Sequence, residues 1–261
     1  MTPARILPTL LLCLLAVAVQ AETAEEKALA IAMEADNRDS GFVDYTNDTQ
    51  MILRNKQGQE SIRLIRSKTL EVDSDGDKSL TIFDEPNDVK GTALLSFTHK
   101  EGPDDQWLYL PALKRVKRIA SDNKSGPFMG SEFAYEDITS QEVEKYTYKY
   151  LRDDSFDGMD VFVFERYPVD EKSGYTRQII WMDKEHYKER KIEFYDRKDT
   201  LLKTLLFTDY HQYQDRFWRA HEMYMENHQT GKSTRLIQSN YKYNTGLSER
   251  DFDQNSLKRA R

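Results

Sequence analysis

The 261-residue sequence holds one cysteine, Cys13, with only eleven glycines and seven prolines, and it carries no excess of positive charge. Each shortage removes a class of protein. With no cysteine beyond position 13, the rest of the chain can form no disulfide, thiolate nucleophile or Cys-ligated metal site. The low glycine and proline counts exclude collagen-like and linker-like chains. A formal net charge of −7 argues against a net-cationic nucleic-acid binder. Beyond the first residues, no apolar run approaches the ~20 residues that a membrane helix needs. No P-loop, dinucleotide fingerprint, zincin helix or Gly-x-Ser-x-Gly elbow occurs, so no cofactor and no hydrolase triad is expected. Forty-five acidic residues make any one carboxylate pair uninformative for glycosidase chemistry.

The first twenty-one residues, Met1 to Ala21, read as a cleaved secretory signal peptide. Arg5 supplies the positive end, and Ile6 to Val19 forms an apolar run too short to span a bilayer. Val19-Gln20-Ala21 places small residues where cleavage requires them. Leu12 before Cys13 is too large for a lipoprotein signal. The expectation is a periplasmic chain, residues 22–261, folding as a single domain.

Glu22 to Asp36 has a helical pattern, with Ala24, Ala28, Ile31 and Ala35 on one stripe that Leu29 widens. Glu22, Glu25 and Glu26 sit where the helix dipole favours negative charge. From Phe42 onward the period changes to two. About a dozen short strands follow, rich in Tyr and Phe and separated by Gly, Asn and Asp clusters. No crossover helices intervene, which predicts a large antiparallel sheet, curled or closed. Several strands are apolar on both faces. Phe162 and Phe164 alternate with Val161 and Val163, and Ile180 alternates with Trp181. A second sheet, a helix or a greasy ligand must cover the second face.

The most distinctive segment runs from Asp105 to Asp137. A strand from Trp107 to Leu110 breaks at Pro111 and resumes through Lys114, Arg115, Lys117 and Arg118. After a Ser-Gly-Pro loop come Phe128, Met129, Phe133 and Tyr135, with Ser131 placed to cap a short helix. Apolar side chains on such a loop suit either a flap over a pocket or a plug on the core. The run Trp107 to Ile119, then Gly126 to Phe133 and Tyr135-Glu136-Asp137, resembles the LolA-like outer-membrane lipoprotein-sorting proteins, in their extended branch. Val89-Lys90-Gly91-Thr92 fits the same pattern, and the likeness covers nearly all of residues 22–261.

The resemblance implies a mainly β fold: a large curved antiparallel sheet forming an incomplete barrel, with helices closing its concave side. It implies a non-enzymatic carrier whose cavity hides a lipid or lipoprotein acyl group, and an inner-membrane exporter of the resistance–nodulation–division type as partner. The alternative on the same fold is a non-transporting sensor or accessory module of such an exporter. Candidate cavity or lid residues are Trp107, Tyr109, Phe128, Met129, Phe133, Tyr135, Phe162, Phe164, Trp181, Met223 and Met225, being large or adaptable apolar groups. The resemblance also implies a functional arginine near the cavity; Arg54, Arg63 and Arg66 lie on early strands.

Lys114, Arg115, Lys117 and Arg118 form either a docking stripe for an acidic partner or lipid phosphates, or a solvated hairpin paired with Glu132, Glu136 and Asp137. No metal site is expected. The Asp73-Ser74-Asp75-Gly76-Asp77 turn lacks the glutamate and helices of a calcium loop. His221, Met223 and Met225 share a strand face that would suit copper(I), but a half-buried strand with one satisfied imidazole is the plainer reading.

Overall fold

The computed structural model describes residues 22–259; the expected signal peptide lies outside them. Helix α1, Ala24–Asp39, opens with a capping box in which Thr23 Oγ1 accepts from the Glu26 N–H and Glu26 accepts from the Thr23 N–H. Ala28, Ile31 and Ala32 are its buried face; Leu29 instead points outward, 41% exposed.

Thirteen antiparallel strands follow: β1 Asp44–Arg54, β2 Glu60–Leu70, β3 Lys78–Glu85, β4 Ala93–Phe97, β5 Asp105–Leu110, β6 Arg115–Ile119, β7 Tyr146–Phe156, β8 Met159–Pro168, β9 Tyr175–Asp183, β10 Glu189–Asp196, β11 Leu201–Tyr213, β12 Phe217–Asn227 and β13 Lys232–Tyr243. They form one sheet in the order β6-β5-β4-β3-β2-β1-β13-β12-β11-β10-β9-β8-β7. Every neighbour is a consecutive strand except β1 and β13, which pair from Tyr45↔Tyr243 to Arg54↔Ser233. The edges, β6 and β7, do not pair, so the barrel is open.

The segment joining those edges, residues 120–145, crosses the inner face as a strap. It shows that the sheet is strongly curved. Gln106 on β5 donates to the Tyr135 carbonyl, and Tyr175 on β9 donates to the Asp137 carboxylate. Nine strand spacings separate β5 from β9, about 43 Å in a flat sheet. Two strap residues so close in sequence can touch both only if the sheet wraps around them.

The period-two pattern sorts the core. Inward side chains, including Met51, Ile65, Phe83, Phe164, Ile180 and Leu236, merge into one cluster with α1 and the strap. The outward faces have two coverings. Over β2 to β5, Phe252 and Leu257 from the carboxyl-terminal segment pack on Leu80, Ile82 and Leu95. Helix α2, Gln254–Arg259, therefore lies on the outer face, while α1 closes the inner one. Over β8 and β9, Val161, Val163 and Trp181 form a small outer cluster with the Lys191 ammonium 3.5 Å from the Trp181 ring centroid. Among the described residues, no helix is long and apolar enough to cross a membrane.

Candidate functional site: a cavity under a pinned strap

The strap begins with a tight reversal. Phe128 N–H donates to the Phe133 carbonyl at 2.7 Å, and Met129 and Gly130 take left-handed φ values of 50° and 77°. Ser131 does not start a helix, as its capping chemistry suggested; it ends a 3-10 turn, Phe128–Gly130, and its hydroxyl donates to the Phe128 carbonyl. The turn drives Phe128 and Phe133 inward, each 2% exposed. Phe128 packs against Phe83 and Tyr135, with both centroid distances 5.6 Å.

Polar contacts to several strands hold the strap down. Arg63 on β2 donates to the Met129 carbonyl. Thr234 on β13 accepts from the Glu132 N–H at 3.0 Å, and Asn227 on β12 donates to the Glu132 carboxylate at 2.7 Å. Lys203 on β11 donates to the Glu132 carbonyl at 2.9 Å and to Asp137 at 2.6 Å. The side chains of that ion pair are only 4% and 3% exposed. Glu136 accepts from Ser173 and from the Gly174 N–H. Burial pushes the Glu136 carboxyl above its ordinary range, against the pull of those donors.

Between strap, α1 and sheet lies a cavity in two adjoining parts that share several lining residues. The inner part, about 360 Å³, is walled by apolar groups such as Met51, Ile65, Phe128, Phe133, Leu205 and Leu236, together with the hydroxyls of Thr49, Ser67, Thr69, Ser79 and Thr81. The outer part, about 720 Å³, opens beside the carboxyl end of α1. Phe207, Met223, Arg166, Glu189 and Gln238 line both. The volumes fall within the range of small-molecule sites.

The outer part is polar and acidic. Asp36, Glu71, Asp73, Asp75, Asp77 and Glu142 line it. Burial raises the Asp77 carboxyl to about 7, although Ser140 donates to it. Burial also raises Asp36 and Glu142. Glu71 is occupied locally, accepting from the Gly41 and Val43 N–H groups where α1 ends. Asp75 binds the His99 ring at 2.6 Å, so the Asp-rich turn is tied to the segment after β4.

Two buried arginines face the cavity. Arg166 donates to Gln178 at 2.6 Å and to Glu189 at 3.2 Å, at the boundary of the two parts. Arg219 and Lys188 both contact Asp39 at 2.5 Å, joining β12 to the end of α1. Burial alone would push Asp39 up, but these two cations hold it below its ordinary value.

The structure separates the residues singled out from the sequence. Phe128, Phe133, Phe164 and Met223 line the cavity. Met225 is fully buried behind the wall, while Met129, Tyr135 and Phe162 pack partly buried against the same core. Trp107 and Tyr109 belong to the outer cluster under the carboxyl-terminal segment, and Trp181 to the outer β8–β9 cluster. These three do not line the cavity, because strand alternation turns them to the opposite face. The basic stripe, Lys114 at the turn before edge strand β6 and Arg115, Lys117 and Arg118 on it, is exposed. Arg118 pairs with Asp105. Glu132, Glu136 and Asp137, its expected partners, are turned inward to Asn227, Ser173 and Lys203 instead.

Of the early arginines, Arg63 reaches the strap and Arg66 pairs with Asp84. The cavity arginines, Arg166 and Arg219, were not singled out from the sequence. Arg166 was legible there: it follows Phe162 and Phe164 in the same alternation, so it had to face inward.

Comparison with known proteins agrees with this architecture. A family model described as "uncharacterized protein" matches residues 75–259. No curated protein matches the chain. A crystal structure from Vibrio parahaemolyticus, named as an outer membrane lipoprotein-sorting protein domain, is 60% identical, with a TM-score of 0.88 over 90% of this chain and 99% of that one. A DUF1329 family protein from Desulfovibrio piger is 29% identical, with a TM-score of 0.85 over 90% of this chain and 99% of that one. A LolA superfamily protein from Nitrosomonas europaea shares the fold at 21% identity, with a TM-score of 0.70 over 88% and 98% of the two chains. The curved open sheet, the strap across its inner face and these matches place the chain in the LolA-like outer-membrane lipoprotein-sorting family, among its DUF1329 members.

Proposed function

We propose that the protein is exported by its amino-terminal signal to the periplasm as a single domain, where it binds the acyl part of a lipid or lipoprotein and carries it between an inner-membrane exporter and the outer membrane. The observation that carries this reading is the inner part of the cavity, whose open wall is more apolar than polar and which adjoins a polar mouth along a shared lining. A hydrocarbon tail in the inner part leaves a polar head among the charged groups of the mouth. Each CH₂ hidden from water is worth ~0.8 kcal/mol, so a long tail gains enough to offset its ordering. No catalytic step is needed. Release follows when a partner or acceptor binds the emptied form better.

The exposed stripe Lys114, Arg115, Lys117 and Arg118 is the docking surface in this reading, for lipid phosphates or an acidic exporter face. A resistance–nodulation–division type exporter is the proposed partner.

The pinned strap supports the second reading, a lipid-sensing accessory module that binds without shuttling. The buried Lys203–Asp137 pair makes a swinging lid costly, so cargo must enter by the mouth. One assay separates the two. Protein loaded with a fluorescent fatty acid is passed between donor and acceptor vesicles. A carrier accelerates transfer in proportion to its concentration, and a sensor binds the probe but leaves the transfer rate unchanged. A protein that takes up no acyl probe after delipidation overturns both.

A further inference from the structure

The hairpin arm formed by the ends of β11 and β12 carries a cluster that the cargo reading does not use. Strand β11 pairs with β10 only through Leu206, and β12 pairs with β13 only from Glu222. Beyond those points the two strands pair mainly with each other, out to Tyr213↔Phe217. On this arm Asp209, His211 and His221 each offer a ligand atom, all within 4.8 Å of one another. His211 Nε2 lies 2.9 Å from Asp209 Oδ1. The two imidazoles stack at 4.1 Å between centroids with a 29° tilt. The Tyr213 hydroxyl sits 2.6 Å from His221 Nε2.

We propose that Asp209, His211 and His221 form a binding site for a borderline divalent transition ion, Zn²⁺ or Cu²⁺, that clips β11 to β12 on this arm. Two imidazoles and a carboxylate are the donor set such ions take, leaving a position for water. The donors suit the ion better than its rivals. Imidazole disfavours Ca²⁺ and Mg²⁺, which prefer oxygen. Copper(I) would need thioethers, but Met225 is fully buried and Met223 lines the cavity.

Tyr213 supplies the outer support that metal-bound histidines have. In the tautomer whose Nε2–H donates to the Tyr213 hydroxyl, His221 Nδ1 is free for the ion. Asp209 and His211 are exposed and can adjust, while His221 is half-buried and fixed by its neighbours. The site adjoins function: Tyr210, Trp218 and Ala220 of the same arm line the cavity mouth. An ion on the arm would stiffen that wall.

The test is a titration of the purified protein, treated with EDTA, with Zn²⁺ and separately with Cu²⁺ at pH 7.5, against a chromophoric chelator. One equivalent should bind with micromolar or tighter affinity and raise the melting temperature, and Ca²⁺ should do neither. His211→Asn and His221→Gln should each weaken binding at least tenfold, while His228→Asn should leave it unchanged. Binding should also fall steeply below pH 6. The Cu²⁺ form should show two nitrogen ligands by electron paramagnetic resonance. Melting curves of the metal-free variants check that they fold. Absence of a one-to-one complex, or binding that survives both histidine replacements in folded protein, overturns the site.

Discussion

Replacing Lys203 by Met tests whether the strap is pinned. The ammonium is buried, donating to Asp137 and to the Glu132 carbonyl. The rings of Tyr175 and Phe194 lie 5.2 Å from it. Lys203→Met keeps much of the stem volume but removes the charge. Asp137 would keep two donors, the Tyr175 hydroxyl at 2.7 Å and the Ala134 N–H at 2.6 Å. Its charge would nonetheless lose its direct cation, with Arg166 acting from farther away, and the Glu132 carbonyl would lose its ammonium donor. Breaking a buried pair from one side costs about 3–5 kcal/mol. The two surviving hydrogen bonds place this case at the lower end, about 3 kcal/mol, a large part of a typical folding free energy.

Urea unfolding should show that loss, and trypsin should cut faster at Lys124 and Lys145, which lie in the strap. Adding Asp137→Asn to Lys203→Met removes the lone charge and should return about 1–2 kcal/mol. A loss below about 1 kcal/mol with an unchanged tryptic pattern would refute the reasoning, since the strap would then owe its position to apolar packing alone.

Other outcomes follow from the same geometry. Asp77, raised by burial from 3.8 to about 7, binds an extra proton in the folded state, so its contribution is present at acid pH and is lost as pH climbs through that window. Asp77→Asn should therefore stabilise the protein at pH 8 by about 1–2 kcal/mol, a figure reduced because the carboxyl is partly open to water, and the gain should shrink toward zero by pH 4. A pH-independent difference in urea unfolding would contradict this. Met223→Trp fills the junction of the two cavity parts and should abolish acyl-probe uptake while keeping the fold; uptake at the parent level would remove the cavity from the account. Trp181→Ala, on the outer face, should cost stability without changing uptake. Replacing Lys114, Arg115, Lys117 and Arg118 together by Glu should leave stability within about 1 kcal/mol, these side chains being exposed, but abolish sedimentation with anionic vesicles. Unchanged sedimentation would count against the stripe as a docking surface.

The strands were legible because their alternation is strong, and α1 because Ala24, Ala28, Ile31 and Ala35 recur at helical spacing behind an acidic first turn; its Thr23 capping box emerged only in the structure. Leu29 misled, since a helical stripe of small residues fixes the buried face only to within one neighbour. The double-sided strands announced a second covering without saying which. On those strands, β8 and β9, it is the small cluster of Val161, Val163 and Trp181 with Lys191 over the Trp181 ring; the cover over β2 to β5 comes from Phe252 and Leu257, two apolar residues in a short polar tail that carry no signal of their own. Trp107, Tyr109 and Trp181 were chosen for size, whereas strand phase decides which side of the sheet a residue serves. Phe128 and Phe133 were legible as an apolar pair on a turn. Their pinning was not, because Lys203, Asn227 and Thr234 meet the strap only after some seventy to a hundred residues of intervening chain.

The central claim is that the inner part of the cavity holds hydrocarbon. Native mass spectrometry of protein taken from its own cell envelope tests it most directly. The account predicts a discrete lipid-mass adduct on the wild-type chain that is absent from Met223→Trp. Bare wild-type protein at full yield, or an adduct that persists in the filled variant, would contradict it.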